Sequence, residues 1–204
     1  MGGSDNDNNY SKRVQFFVKY NVFVEKPHMI SKRAFFSSQY TATDNAIYVF
    51  GGSDSNTTDL DACEKFSLLE NVWRPIASMK QAKNGLSSVC FEAYRLIFVF
   101  GGNSHASGSL NQIEKYEVDF DKWTLTDLKM TKPIHDMCIL QISRDKVMIF
   151  GGHTDVSGDP SQKGGPNREV QLVDLTTECF KARFGSEKLY LNESSTGGKT
   201  YFPP

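Results

Sequence analysis

The chain lacks the residues from which several functions are built. Its 204 residues include only four cysteines, at 63, 90, 138 and 179, with no CxxC pair among them. That spacing offers neither a zinc knuckle nor a thioredoxin-type redox motif, so free thiols in a reducing compartment are expected. Only four histidines occur (His28, His105, His135 and His153), without an HExxH or His-x-His pairing, and no catalytic constellation is assigned. The net charge is −1, so a basic footprint for nucleic acid is missing. No apolar run approaches the roughly 18 residues needed to cross a bilayer, and the polar start Met1-Gly2-Gly3-Ser4-Asp5 does not read as a secretory signal. Gly198-Lys199-Thr200 imitates the end of a phosphate-binding loop, but Glu193 stands where its first glycine belongs. Asn56-Thr57-Thr58 and Asn192-Glu193-Ser194 are taken as chance matches to the glycosylation sequon.

What is present is a repeat. An apolar strand runs into Gly-Gly three times, at Gly51-Gly52, Gly101-Gly102 and Gly151-Gly152, with a further doublet at Gly2-Gly3. A period near 50 means that one supersecondary unit is reused. About 22 residues before each later doublet stand Met29, Met79 and Met130, and six or seven before those stand Phe23, Trp73 and Trp123. Each unit then predicts four short strands. Two inner ones are almost wholly apolar, as in Leu86–Phe91 and Leu96–Phe100. A third alternates apolar and charged residues, as in Ile113-Glu114-Lys115-Tyr116, and the fourth is short and carries the large aromatic. The alternation marks the third strand as wet on one face. Such sheets bury both faces only by packing against like neighbours around an axis, which predicts an all-β, four-stranded antiparallel propeller. The glycines allow a sharp turn and close approach of adjacent units. The tryptophans and methionines are assigned to packing between units, with Trp-to-alanine truncation costing about 3–5 kcal/mol.

In this pattern the chain resembles the kelch repeat family, whose signature is a strand ending in Gly-Gly, an aromatic, a Trp about six residues later, and a Met. Gly101-Gly102…Tyr116…Trp123…Met130 reproduces it closely, and Gly51-Gly52…Phe66…Trp73…Met79 follows it. Phe23 fills the Trp slot of the first unit, and Phe180 is placed in that of the last. The expected units are about 2–29 (partial), 30–79, 80–130 and 131–184 within a region 1–186. Residues 187–204 form a tail in which Lys188-Leu189-Tyr190-Leu191 could add a strand. That makes about three and a half blades, a partial or open ring, whereas propellers close with four to eight. A fragment of a longer chain, self-association, or completion by another chain would each resolve the shortfall.

The resemblance implies a non-catalytic interaction module, with a protein partner held by loops at one end. A substrate-recognition role in a ubiquitin ligase adaptor, or a propeller enzyme acting on sugars, are the alternatives. The loops after each doublet (53–60, 103–110 and 153–167) and those entering the next unit emerge at the same end. There Arg33, Lys83 and His135 would make a basic ring for acidic side chains, with Asp54, His105 and His153 beside them. Asp54, Asp59, Asp155 and Asp159 match no calcium loop. No cofactor, metal, nucleic acid or membrane is expected, and the setting is read as cytoplasmic, with a cytoskeletal association as a variant.

Overall fold

The computed structural model describes residues 1–5, 9–18, 22–154 and 164–184. The tail 187–204, with its strand expected at Lys188–Leu191, lies outside them, as do Asp155 and Asp159. An initial hairpin pairs β1 (Val14–Val18) with β2 (Val22–Lys26). The first full unit has β3 (Ser37–Thr41) and β4 (Ala46–Phe50), a small ribbon of β5 (Ser53–Ser55) and β6 (Thr58–Asp59), then β7 (Cys63–Ser67) and β8 (Val72–Ile76). The second repeats this with β9 (Ser87–Phe91), β10 (Leu96–Phe100), the ribbon β11 (Asn103–Ser104) and β12 (Gly108–Ser109), β13 (Gln112–Glu117) and β14 (Lys122–Lys129). In the third come β15 (Cys138–Gln141), β16 (Lys146–Phe150), the ribbon β17 (His153–Thr154) and β18 (Gly165–Pro166), and β19 (Gln171–Asp174). The first two units are four-stranded antiparallel sheets in the orders β3-β4-β7-β8 and β14-β13-β10-β9. The inner strands β3, β9 and β15 lie side by side.

The third unit corrects one expectation. Among the described residues its sheet has three strands, β15-β16-β19, and Phe180 lies in a helix, α1 (Thr176–Phe184), instead of an outer strand. The turn explains this. In the complete units the outer hairpin turns through Asn71 (φ 57°) and Asp121 (φ 47°), residue types that accept the left-handed region. Counting from Glu64, Glu114 and Gln171, the matching residue is Glu178. It carries no such preference, and the segment continues as a helix. Glu178 is buried and pairs with Lys115 Nζ at 3.0 Å, which ties α1 back to the second unit.

The units wedge together through three apolar clusters. Tyr48 and Phe50 of β4 meet Ile97 and Val99 of β10, with Tyr116 and Trp123 in the same cluster. Phe98 and Phe100 in turn meet Val147 and Ile149, while Val14 and Met29 meet Val49, Phe66 and Trp73. Each tryptophan also donates to the backbone of the preceding unit: Trp73 Nε1 to Pro27 O at 2.8 Å, Trp123 Nε1 to Ala77 O at 2.9 Å. At Gly101 (φ 50°) a Cβ would sit 2.4 Å from Ile134 O, so only glycine lets the next unit come this close. Among the described residues, no helix is long and apolar enough to cross a membrane.

Candidate functional site

The loop end of the units is built on backbone pairs between the segment entering a unit and the ribbon after its glycines. Ala34 pairs with Ser53, Asn84 with Asn103, and His135 with His153. One residue further on, the chain turns through a left-handed residue: Phe35 (φ 55°), Gly85 (φ 58°) and Asp136 (φ 53°). These three form a hydrogen-bonded arc across successive units, Gly85 N donating to Phe35 O at 2.8 Å and Asp136 N to Gly85 O at 2.7 Å. Strand pairing therefore begins only after these left-handed residues, at Ser37 in β3, Ser87 in β9 and Cys138 in β15.

Phe35 is the anomaly of the arc. A left-handed conformation costs an L-residue with a large side chain about 1–2 kcal/mol, and glycine serves at the same place one unit on. Yet the Phe35 ring is 57% exposed. It borders a groove of about 380 Å³ lined also by Tyr10, Ser53, Asn56, Asn84, Asn103 and His105. Tyr10 donates its hydroxyl to Asn56 Oδ1 at 3.0 Å, and Asn84 Nδ2 donates to Asp59 Oδ1 at 2.6 Å. Among the described residues, none donates a hydrogen bond to the buried Asn103 Oδ1. Asp59 also accepts from the His105 backbone at 2.7 Å, and its carboxylate lies 2.8 Å from His105 Nδ1. Burial would raise the Asp59 pKa, but the His105 amide, the Asn84 amide and the His105 ring outweigh it and hold the carboxyl below its ordinary value.

The residues singled out from sequence fall into two groups. Arg33 and Lys83 lie inside the fold, not around an opening, each with 0% exposure. Arg33 Nη2 is 2.5 Å from Glu64 Oε1, and its Nη1 donates to Gly51 O and Ala62 O. Lys83 Nζ is 2.7 Å from Glu114 Oε1. Both cations are out of a partner's reach, and the charge they were expected to offer is neutralised internally. His105, His135, His153 and Asp54 do stand at the loop end, with Asp54 on β5 half-buried. The structure joins His105 to Asp59, and stacks His135 on His153 with ring centroids 5.8 Å apart. His135 also has its Nδ1 against Ser109 Oγ, at 2.9 Å. Sequence reading missed Phe35, Tyr10, Asn56, Asn84, Asn103 and Asp136. The one usable signal was that Phe35 aligns with Gly85, a position whose glycine implies an unusual backbone.

Antiparallel blades wedged by inter-unit tryptophans and glycine-tight turns define a partial β-propeller. The Kelch motif model matches residues 39–80. Over 188 residues the chain is 24% identical to Kelch-like protein 38 of Rattus norvegicus, covering 90% of this chain and 30% of that protein. It is 28% identical over 127 residues to a RING finger domain and kelch repeat-containing protein of Dictyostelium discoideum, covering 61% of this chain and 12% of that one. It is also 25% identical to an F-box/kelch-repeat protein of Arabidopsis thaliana, across 64% of this chain and 35% of that one. The Kelch motif match and the Kelch-like relatives, which align with about 90% of the chain, support its likeness to the kelch repeat family. It spans about 30% of the length of the Kelch-like protein 38 relatives it matches.

Proposed function

We propose that this chain is a non-catalytic protein-interaction module that holds an extended peptide segment across its loop end. Residues 1–186 act as the propeller region. The observation that carries the reading is Phe35: a large aromatic kept in a conformation that glycine fills at no steric cost, with its ring left in water. Strain of this kind persists where it serves a site. The groove beside it offers hydroxyl, amide and imidazole groups, and the Asp59 carboxylate behind three of its lining residues is already occupied by Ser53, Asn84 and His105. That chemistry suits peptide backbone and an apolar anchor better than a highly charged ligand. His105, His153, His135 and Asp54 form the surroundings of this surface.

The test compares proteins retained by immobilised wild type, by Phe35→Gly, and by Phe120→Ser, an exposed aromatic on the turn at the other end of the sheets. A specific partner is retained by wild type and Phe120→Ser and lost by Phe35→Gly. Equal loss with both variants, or retention by all three, overturns the reading.

A second reading has its own support. Relatives whose names carry F-box or RING domains beside kelch repeats favour a substrate-recognition part of a ubiquitin ligase adaptor. Co-purification of a ligase scaffold with the full-length protein tests it. Self-association, treated below, is proposed from the apolar face of the third unit. The four cysteines are free, in keeping with a cytoplasmic setting.

A further inference from the structure

We propose that His135, His153 and Asp136 form a binding site for a divalent transition-metal ion of the zinc type. The three come from two segments of the third unit, and each offers one ligand atom, all within 4.8 Å of one another. His135 and His153 occupy a facing pair whose backbones exchange hydrogen bonds of 3.0 and 2.9 Å, so the two imidazoles are anchored opposite each other by the sheet. The rings lie nearly parallel, 26° apart.

The fold does not require imidazoles at this pair. The same backbone pairing is made by Ala34 with Ser53 in the first unit and by Asn84 with Asn103 in the second. Only the third unit places histidine on both sides, and only there is the next residue a carboxylate, in the slot of Phe35 and Gly85. Asp136 owes its position to the left-handed turn shared by all three units. Its Oδ2 stands 3.9 Å from His135 Nε2.

The surroundings suit a metal ligand. Ser109 Oγ meets His135 Nδ1 at 2.9 Å, an outer hydrogen bond that fixes the ring and leaves Nε2 for the ion. His135 is half-buried while Asp136 and His153 are exposed, so an ion has a path from solvent. Two imidazole nitrogens and a carboxylate oxygen match the three-ligand sets that bind zinc with a position left open. Zinc would sit about 2.0–2.2 Å from each ligand atom, with the exposed side chains of Asp136 and His153 adjusting around the half-buried His135.

The site is tested on the chelator-stripped full chain by calorimetric titration with Zn²⁺, and with Co²⁺ as a visible spectroscopic probe. One ion per chain is expected, with Co²⁺ absorption showing mixed nitrogen and oxygen ligation. The double variant His135→Asn/His153→Asn copies the Asn84–Asn103 pair, so its fold is provided for. It should weaken Zn²⁺ binding at least tenfold, as should Asp136→Asn, whereas His105→Asn should leave binding unchanged. No stoichiometric uptake by wild type, or uptake that survives the double variant, overturns the proposal. Both outcomes are independent of Phe35, so the peptide-binding reading stands or falls separately.

Discussion

Arg33 Nη2 lies 2.5 Å from Glu64 Oε1 at a point where neither side chain meets solvent. The relationship recurs one unit later as Lys83 and Glu114 at 2.7 Å. In both units the carboxylate also accepts backbone amides of the entering segment, Ile30 N and Ser31 N at Glu64, Lys80 N at Glu114. The third unit makes the coupled replacement. Ile134, whose carbonyl accepts from Gly102 as that of Lys83 accepts from Gly52, stands in place of the cation, and Gln171 in place of the carboxylate. Gln171 Oε1 still accepts Thr131 N at 2.9 Å. Loss of the charge on one side is matched by loss on the other, because a lone buried ion is far costlier than an ion pair or an apolar substitute. The same exchange in the second unit gives a double-mutant cycle. Lys83→Ile alone should destabilise by about 3–5 kcal/mol and Glu114→Gln alone by a similar amount, while the pair together should cost much less than the sum. Urea unfolding of the four proteins measures the coupling, and additive losses would show that the pair does not act as a unit.

Phe35 gives a prediction in which stability and binding move in opposite directions. Phe35→Gly removes the left-handed strain, a relief of about 1–2 kcal/mol, against which glycine loses about 0.5–1 kcal/mol of backbone entropy. The variant should therefore unfold at slightly higher urea than wild type, whereas Phe35→Ala keeps the strained backbone and should not gain. Both lose the exposed ring and both should lose the partner. If Phe35→Gly proves markedly less stable, the ring is held by packing and its exposure is not a sign of function.

The repeat was legible because its physics is local: apolar runs closed by Gly-Gly, and aromatics at fixed offsets. Gly101 shows why, since the offset marks a place where the next unit's backbone touches. The site was less legible because its parts are defined across units. Arg33 and Lys83 looked like loop charges; their partners Glu64 and Glu114 stand 31 residues away, each at the second position of an alternating strand, where a charge reads as wet. His135 and His153 looked scattered until the sheet paired them. Phe180 sits at the Trp offset, nine residues after Gln171 as Trp73 is after Glu64, yet the turn residue at 178 decided its structure.

Acid should act on the loop end through Asp59. Its folded pKa is held below the usual value of about 3.9, so its ionised form contributes stability that is fully present above that value and is lost as pH falls through the lower, folded one. Asp59→Asn removes the contribution. The stability gap between wild type and variant should be constant from pH 7 to pH 5 and narrow as pH falls below about 4. Urea midpoints across that range test this, and a gap that widens in acid would mean that Asp59 is stabilised in its protonated form.

The last prediction concerns the outer face of the third unit. Register places Leu140, Met148 and Leu172 abreast, as Gln39, Tyr48 and Lys65 are in the first unit and Val89, Phe98 and Lys115 in the second. In those units the central positions, Tyr48 and Phe98, are buried against the next sheet. Here Leu172 is 71% exposed, and Leu140 and Phe150 are exposed beside it. At the other end, Phe23 pairs in register with Phe17 as Trp73 does with Phe66 and Trp123 with Tyr116, and it too is exposed. The two faces are the two halves of one repeated interface, so copies of the chain should associate head to tail, and a contact of this kind either closes a ring or grows. Light scattering should show mass rising with concentration for the wild type. Leu140→Ser/Leu172→Ser should lower it towards the monomer without lowering stability, since both leucines are already in water. A wild type that stays monomeric at all concentrations, or a double variant that associates as strongly, would remove this face as the point of contact.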